Sequence, residues 1–179
     1  ITRLVEMMET AERPIFYTGG GVINSGKAAS QLLRELADAT GIPVTSTLMG
    51  LGAYPASGKG WIGMLGMHGL YEANLAMHGC DLMVNIGARV DDRITGRITD
   101  FSPKSKKVHI DIDPSSINKV IRVDVPIIGD VGHVLEDVLK VWKARGRKVN
   151  KAGLAKWWAQ IEEWKRVNCL AYAPGDRTI

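Results

Sequence analysis

Residues 17–26, YTGGGVINSG, set three consecutive glycines, Gly19, Gly20 and Gly21, between a short apolar run and a helix-like segment. Bare backbone at a strand-to-helix turn serves one of two ends. Glycine permits positive φ and close packing without a Cβ clash, and unobstructed amides at a helix N-terminus can face a phosphate. Further along, GARVDDRITG supplies Gly87, Ala88, Arg89, Asp91, Asp92 and Arg93, HIDIDP supplies Asp111 and Asp113, and GDV supplies Gly129 and Asp130. Arginine forks grip phosphate oxygens in pairs and carboxylates accept from hydroxyls, so the set has the chemistry of nucleotide-diphosphate binding. Each member also has a plain structural reading. Asp130 could be a helix N-cap, and Asp111 and Asp113 could cap the PSSINK turn. Arg89 and Arg93 could pair with Asp91 and Asp92 at the surface, for about 0–1 kcal/mol. No catalytic or metal residue is assigned: Cys80 and Cys169 lie far apart and match no zinc or disulfide spacing.

The elements that must position these residues alternate between β-rich runs and helical patterns. That order predicts an α/β fold, a Rossmann-like doubly wound parallel sheet of about six strands with helices on both faces. Strands are placed at 15–18, 43–47, 81–86, 107–112 and 126–128, and helices at 27–40, 70–78 and 131–144. The first helix carries Ala28, Leu32, Leu33, Leu36 and Ala39 as a stripe, and Gly41 ends it. The glycine-rich stretch 49–69 reads as a long connection of the functional or mobile kind. A helix over 151–171 carries Leu154, Trp157, Trp158, Ile161 and Trp164, which dock on this domain or on a neighbour.

In such a sheet ligands sit outside the carboxyl ends of the strands, where the glycines, arginines and aspartates recur. The G-x-G-x-x-G fingerprint is broken, because Asn24 stands in place of the third glycine and TSTLM ends the next strand without an acid. Ordinary NAD binding across the first two strands is therefore disfavoured. Asp111 and Asp113 put ribose and adenine toward the other half of the sheet, which suits an extended FAD.

Of the 179 residues 45% are hydrophobic and 23% charged, an ordinary soluble composition. No apolar run approaches the roughly 18 residues of a membrane span and no signal peptide is seen, so no membrane is expected. The net charge of +4 gathers at Lys104, Lys106 and Lys107 and again over 140–151, without interleaved aromatics. These clusters read as solvated surface, and no nucleic acid is expected. The paucity of cysteine fits a reducing, cytoplasmic setting. Starting at Ile1 and ending on PGDRTI without a helix cap, the chain reads as a piece of a longer one, with a central domain over 1–146 and a helical tail or linker over 147–179.

In this order, GIPVTSTLMGLGAYP, MLGMHG, GARVDDRITG, HIDIDP and GDV resemble the middle domain of the acetolactate synthase (acetohydroxyacid synthase) catalytic subunit, over residues 13–139. The resemblance implies a six-stranded Rossmann-like domain of the thiamine-diphosphate enzyme superfamily that holds FAD. Carried over by position, the flavin nucleotide meets Gly20, Gly21, Thr47, Leu48 and Met49. Leu65, Gly66, Met67 and His68 of the long loop lie beside the flavin, followed by Gly87, Ala88, Arg89, Asp91, Arg93 and Ile94. Asp111, Ile112, Gly129, Asp130 and Val131 complete the set. Two positions depart from the family pattern: Val90 replaces a phenylalanine, and Ser116 stands where an acid is common.

The implied reaction joins pyruvate to pyruvate or 2-oxobutyrate with loss of carbon dioxide, in branched-chain amino-acid synthesis. Thiamine diphosphate and Mg2+ would bind outside this segment, which lacks the GDG…NN motif; the family's catalytic glutamate belongs to the preceding domain. The segment is thus expected to supply a flavin platform and to be inactive alone. Implied partners are the N- and C-terminal thiamine-binding domains of the same chain, in a homodimer or tetramer with a regulatory small subunit. Other readings are a related thiamine-enzyme middle domain without flavin, a degenerate nucleotide-binding interaction domain, or a sirtuin-type deacylase, which would need a four-cysteine zinc module.

Overall fold

In a computed structural model the described residues are 1–172, and the closing PGDRTI lies outside them. In chain order they form α1 (Thr2–Thr10), β1 (Pro14–Thr18), α2 (Gly20–Asn24), α3 (Lys27–Thr40), β2 (Val44–Ser46), β3 (Trp61–Met64) and α4 (Tyr71–Gly79). β4 (Leu82–Ile86), α5 (Asp92–Thr95), β5 (Lys106–Asp111), β6 (Val125–Ile128), α6 (Val131–Ala144) and α7 (Lys151–Lys165) follow. All six strands pair in parallel, in the order β3-β2-β1-β4-β5-β6. This is the doubly wound Rossmann-like order, with its reversal between β1 and β4.

The central strands β1 and β4 are buried along their whole length, as a sheet covered on both faces requires. Alternate residues serve alternate layers. Phe16, Val84 and Ile110 pack under α1, α3 and α6, while Ile15, Tyr17 and Met83 pack under α4 and α7. The buried stripe of α3 is Ala29, Ser30, Leu33, Leu36, Ala37 and Thr40. It is rotated from the expected one, leaving Ala28 and Ala39 exposed, because the two larger leucines choose the face. Gly41 ends the helix in the left-handed region (φ 71°), as expected.

The stretch 49–69 is not one long loop but contains β3. At the sheet edge a four-residue strand with half-buried Trp61 and Met64 needs only one ladder, so it shows no long apolar run. Helices α1, α2 and α5 also went unplaced in the sequence. The last helix ends at Lys165, short of the expected 171. It docks on this domain: Trp157 is buried and donates its indole N–H to Pro14 O (3.1 Å), and Trp158 donates to Gly41 O (2.7 Å). Pro14 opens β1 and Gly41 caps α3 just before β2, so α7 reaches over the N-terminal edge of the sheet. Among the described residues no helix is long and apolar enough to cross a membrane.

Candidate functional site

The chain leaves β1 and β4 side by side at the opposite edge, and the two turns cross in direct backbone contact. Gly19 N–H donates to Ile86 O (3.0 Å) and Gly21 N–H to Gly87 O (2.9 Å). A Cβ on Gly19 would overlap Gly87 O and Ala88 Cα, and one on Gly21 would come within 2.7 Å of Gly87 Cα. Close packing therefore accounts for the first and third glycines. Gly20 differs. Its N–H has no backbone acceptor among the described residues, and a Cβ there would meet Met49 alone, its Cβ at 3.3 Å and its carbonyl oxygen at 3.6 Å.

Over this crossing opens a crevice of about 480 Å³, inside the range of about 300–1,000 Å³ typical of small-molecule sites. Gly20, Gly21, Thr47, Leu48, Met49, Gly87, Ala88, Arg89, Asp91, Arg93, Ile94, Asp111 and Ile112 all line it, with Asn24, Asp113 and Ser116. Thr47 caps the turn Leu48–Gly50 by accepting Gly50 N–H (3.0 Å), which leaves Leu48 and Met49 exposed on the rim. Two arginines, three aspartates and the Thr47 and Ser116 hydroxyls are the polar side chains of its lining, with Asn24.

The remaining expected residues sit elsewhere. Leu65 faces an adjoining cavity of about 200 Å³ that shares Ile94. The Gly66 peptide is clasped by Asn74, which accepts its N–H (2.8 Å) and donates to its carbonyl (3.0 Å), while Met67 and His68 are exposed beyond it. Gly129 leads into α6, Val131 is core, and Asp130 is the N-cap, accepting from Gly132 N–H (2.9 Å) and Ser25 Oγ (2.8 Å). The Ser25 hydroxyl, with the backbone N–H groups of His133 and Gly132, holds the Asp130 carboxyl below its ordinary range.

Two structural readings of the charged set hold as well. Arg89 Nη2 lies 3.3 Å from Asp91 Oδ2, an exposed pair, whereas Arg93 makes no ion pair among the described residues. Asp113 caps Pro114–Ser116, accepting from Ser115 Oγ (2.8 Å) and N–H (2.9 Å), and these bonds lower its pKa. Asp111 is buried; its Oδ1 accepts Asp113 N–H (2.9 Å), and its Oδ2 lies 3.5 Å from His109 Nε2. Burial pushes the His109 pKa down, against the raising effect of Asp111. Val90 is buried in the apolar layer beneath the crevice, and Ser116 lines it.

Sequence reasoning missed Tyr17, Asn85 and His109 behind the rim. The signal was there: each is a polar group flanked on both sides in its strand by an apolar or small residue of a buried run.

A parallel sheet of this order, with a crevice at the reversal point and arginines and a carboxylate on the rim, defines a Rossmann-like α/β domain. The family is narrower: residues 1–138 match the thiamine pyrophosphate enzyme central domain, and the chain belongs to that family. It is 42% identical over 172 residues to the acetolactate synthase isozyme 3 large subunit of Escherichia coli (strain K12), a match covering 96% of this chain and 30% of that protein. To the acetolactate synthase large subunit of Haemophilus influenzae it is 44% identical over 178 residues, covering 99% and 30%. To the acetolactate synthase of Mycobacterium avium the identity is 41% over 174 residues, covering 97% and 28%. The chain thus spans about three tenths of the length of these relatives.

Proposed function

We propose that this chain is the central domain of an acetolactate synthase large subunit and that its crevice holds FAD. The observation that carries the reading is the convergence on one rim of the open Gly20 backbone, Arg89, Arg93 and Asp111, in a chain whose relatives are acetolactate synthases. The residues present fit the group: guanidinium forks and the Gly20 amide suit a pyrophosphate, and the Asp111 carboxylate suits a ribose hydroxyl. Leu48, Met49 and Ile112 offer an apolar rim to the ring systems, with Met67 and His68 farther out for the flavin end. The flavin contacts from Leu65 to His68 and from Gly129 to Val131 are the outer part of this proposal.

In the whole protein the reaction is carboligation of pyruvate with a second 2-oxo acid, with thiamine diphosphate and Mg2+ held by flanking domains and supplying that chemistry. Joining two 2-oxo acids with loss of carbon dioxide is redox-neutral, so this domain's part is to brace the site. It contributes no catalytic group and is inactive alone. Residues 147–179 lead toward the second thiamine-binding domain, and the assembly is a cytoplasmic dimer or tetramer with a regulatory small subunit. The Arg89–Asp91 pair favours a second reading, a related middle domain whose site no longer takes flavin.

Thermal stabilisation separates the two, because a ligand of the folded state raises the melting temperature as its concentration exceeds Kd. FAD and, more weakly, ADP are expected to stabilise the protein. Stabilisation by NAD alone, or by none of the three, would remove FAD from the proposal. Replacing Arg89 and Arg93 by alanine in the full-length protein is expected to strip the bound flavin; unchanged flavin content would favour the second reading.

A further inference from the structure

Four strands carry a buried polar residue at the same level of the sheet. Thr45 of β2 pairs with Tyr17 of β1, Tyr17 with Asn85 of β4, and Asn85 with His109 of β5. Register partners in a parallel sheet share a face, so these side chains form one row across the α4/α7 side. Tyr17, Asn85 and His109 are 0%, 1% and 2% exposed. Buried polar groups persist only where they are hydrogen-bonded, and three of the four spend their bonds on two consecutive residues. Asn85 accepts Ala88 N–H (3.0 Å) and donates to Ala88 O (2.7 Å), and Tyr17 OH donates to Arg89 O (3.3 Å). His109 Nε2 lies 3.1 Å from Ala88 O and 3.5 Å from Asp111 Oδ2. Both neighbours are acceptors, so Nε2 carries the hydrogen. Thr45 turns the other way, to Gly63 O (2.8 Å).

Apart from the exposed Arg89–Asp91 pair, Ala88, Arg89 and Val90 make no other hydrogen bond or ion pair among the described residues. β4 ends at Ile86 and α5 begins at Asp92, and residues 88–90 make no backbone–backbone hydrogen bond. Yet the crevice takes Ala88, Arg89 and Asp91 from this stretch. We propose that Tyr17, Asn85 and His109 are positioning residues, one buried row that holds the Ala88–Arg89 peptide and the Asp111 carboxylate in place for the ligand. The identity of that ligand rests on the FAD reading above; the hold on the loop does not. The row works from behind the rim, and its members other than through Ala88, Arg89 and Asp111 do not enter the crevice.

Hydrogen exchange read by mass spectrometry on the intact protein tests the hold without any ligand. Tyr17→Phe removes one hydroxyl and keeps the ring, His109→Leu removes the imidazole donor, and His109→Gln returns a donor near the Nε2 position. Exchange over residues 87–93 should quicken about three- to tenfold in the first two, the worth of one hydrogen bond. It should return toward wild type in His109→Gln, with β1 and β2 peptides unchanged throughout. Equal exchange in all four proteins, or a rise spread over the whole sheet, would overturn the proposal. A parallel FAD titration should show Kd weakened about three- to tenfold in the first two variants and recovered in the third. If the wild type takes no FAD, the ligand assignment fails and the exchange series still decides the row. If it takes FAD equally in all four, the row holds no part of the binding site and the proposal falls.

Discussion

At the N-terminal edge of the sheet the strand ends are tied off by the chain's own side chains, whereas at the C-terminal edge apolar and cationic groups face outward. On the first edge Asp81 accepts the N–H groups of Glu12 (2.8 Å) and Arg13 (2.9 Å), Asp124 accepts Lys107 N–H (2.7 Å), and the indoles of Trp157 and Trp158 cover Pro14 and Gly41. Arg145 adds a two-point grip on Glu9, at 2.9 Å in each bond. On the second edge Leu48, Ile112, Ile128 and Met67 are exposed, Met49 is 74% exposed, and Arg93 makes no ion pair among the described residues. The same parallel sheet thus carries one edge whose strand ends are covered and one where, beside the caps Thr47, Asp113 and Asp130, apolar and cationic side chains stay in solvent.

The largest effect should come from the closed edge. Trp157→Ala removes a buried ring and its bond to Pro14, and is expected to lower unfolding free energy by about 3–5 kcal/mol. Met49→Ala, at the open edge, should stay within about 0.5 kcal/mol. Urea unfolding of both variants checks this, and equal losses would break the contrast between the edges. The glycine crossing sharpens it at atomic scale. Gly19→Ala drives a methyl into Gly87 and Ala88 and should lose about 1–3 kcal/mol, as overpacking does. Gly20→Ala should leave urea stability nearly intact and instead weaken FAD binding.

The central strands and the rim lining were legible in the sequence, whereas the ties of the closed edge were not, and for a physical reason. β4 and β5 announce themselves as apolar runs because both of their faces are buried, and α6 because its stripe is dominated by large side chains. The edge strand β3 is ladder-bonded on one side only and broken by Gly63, so its residues resemble the loop around them. At the rim, residue type identified Gly20, Arg89, Arg93 and Asp111 as crevice lining, but type could not separate a capping carboxylate from a ligand-facing one. Asp130 and Asp113 are caps because of where their own helical turns begin. The row of Tyr17, Asn85 and His109 is a property of strand register, and no single strand displays it.

Arg93→Ala isolates the open edge from the fold. With no ion pair to lose among the described residues and an exposed side chain, the variant should unfold within about 0.5 kcal/mol of the parent. FAD affinity should nevertheless drop about tenfold or more, the scale of a charge-assisted phosphate bond of about 1.5–3 kcal/mol. Raising salt should shrink the difference, since the guanidinium is solvated and screened. A loss of stability equal to the loss of affinity would mean that the rim is fold and not site.

The smallest effect is one of pH, and it should trace to His109 behind the rim. Burial lowers the His109 pKa below its ordinary 6.5, with Asp111 and the Ala88 carbonyl opposing. Arg89, Asp91 and Lys119 border the same small cavity, so two cations oppose and one further acid favours protonation there. As pH falls through 6.5 the unfolded chain takes up a proton that the folded chain refuses, so stability declines until the folded pKa is passed. One proton limits the slope to about 1.4 kcal/mol per pH unit. The carboxylates of Glu9, Asp113 and Asp130 have lowered pKa values, so their stabilising share is present above the unfolded range near 4 and is lost only as pH falls further. Between pH 6.5 and 5 the decline in melting temperature should therefore shrink in His109→Gln, while Trp157→Ala lowers the curve at every pH without changing its slope there.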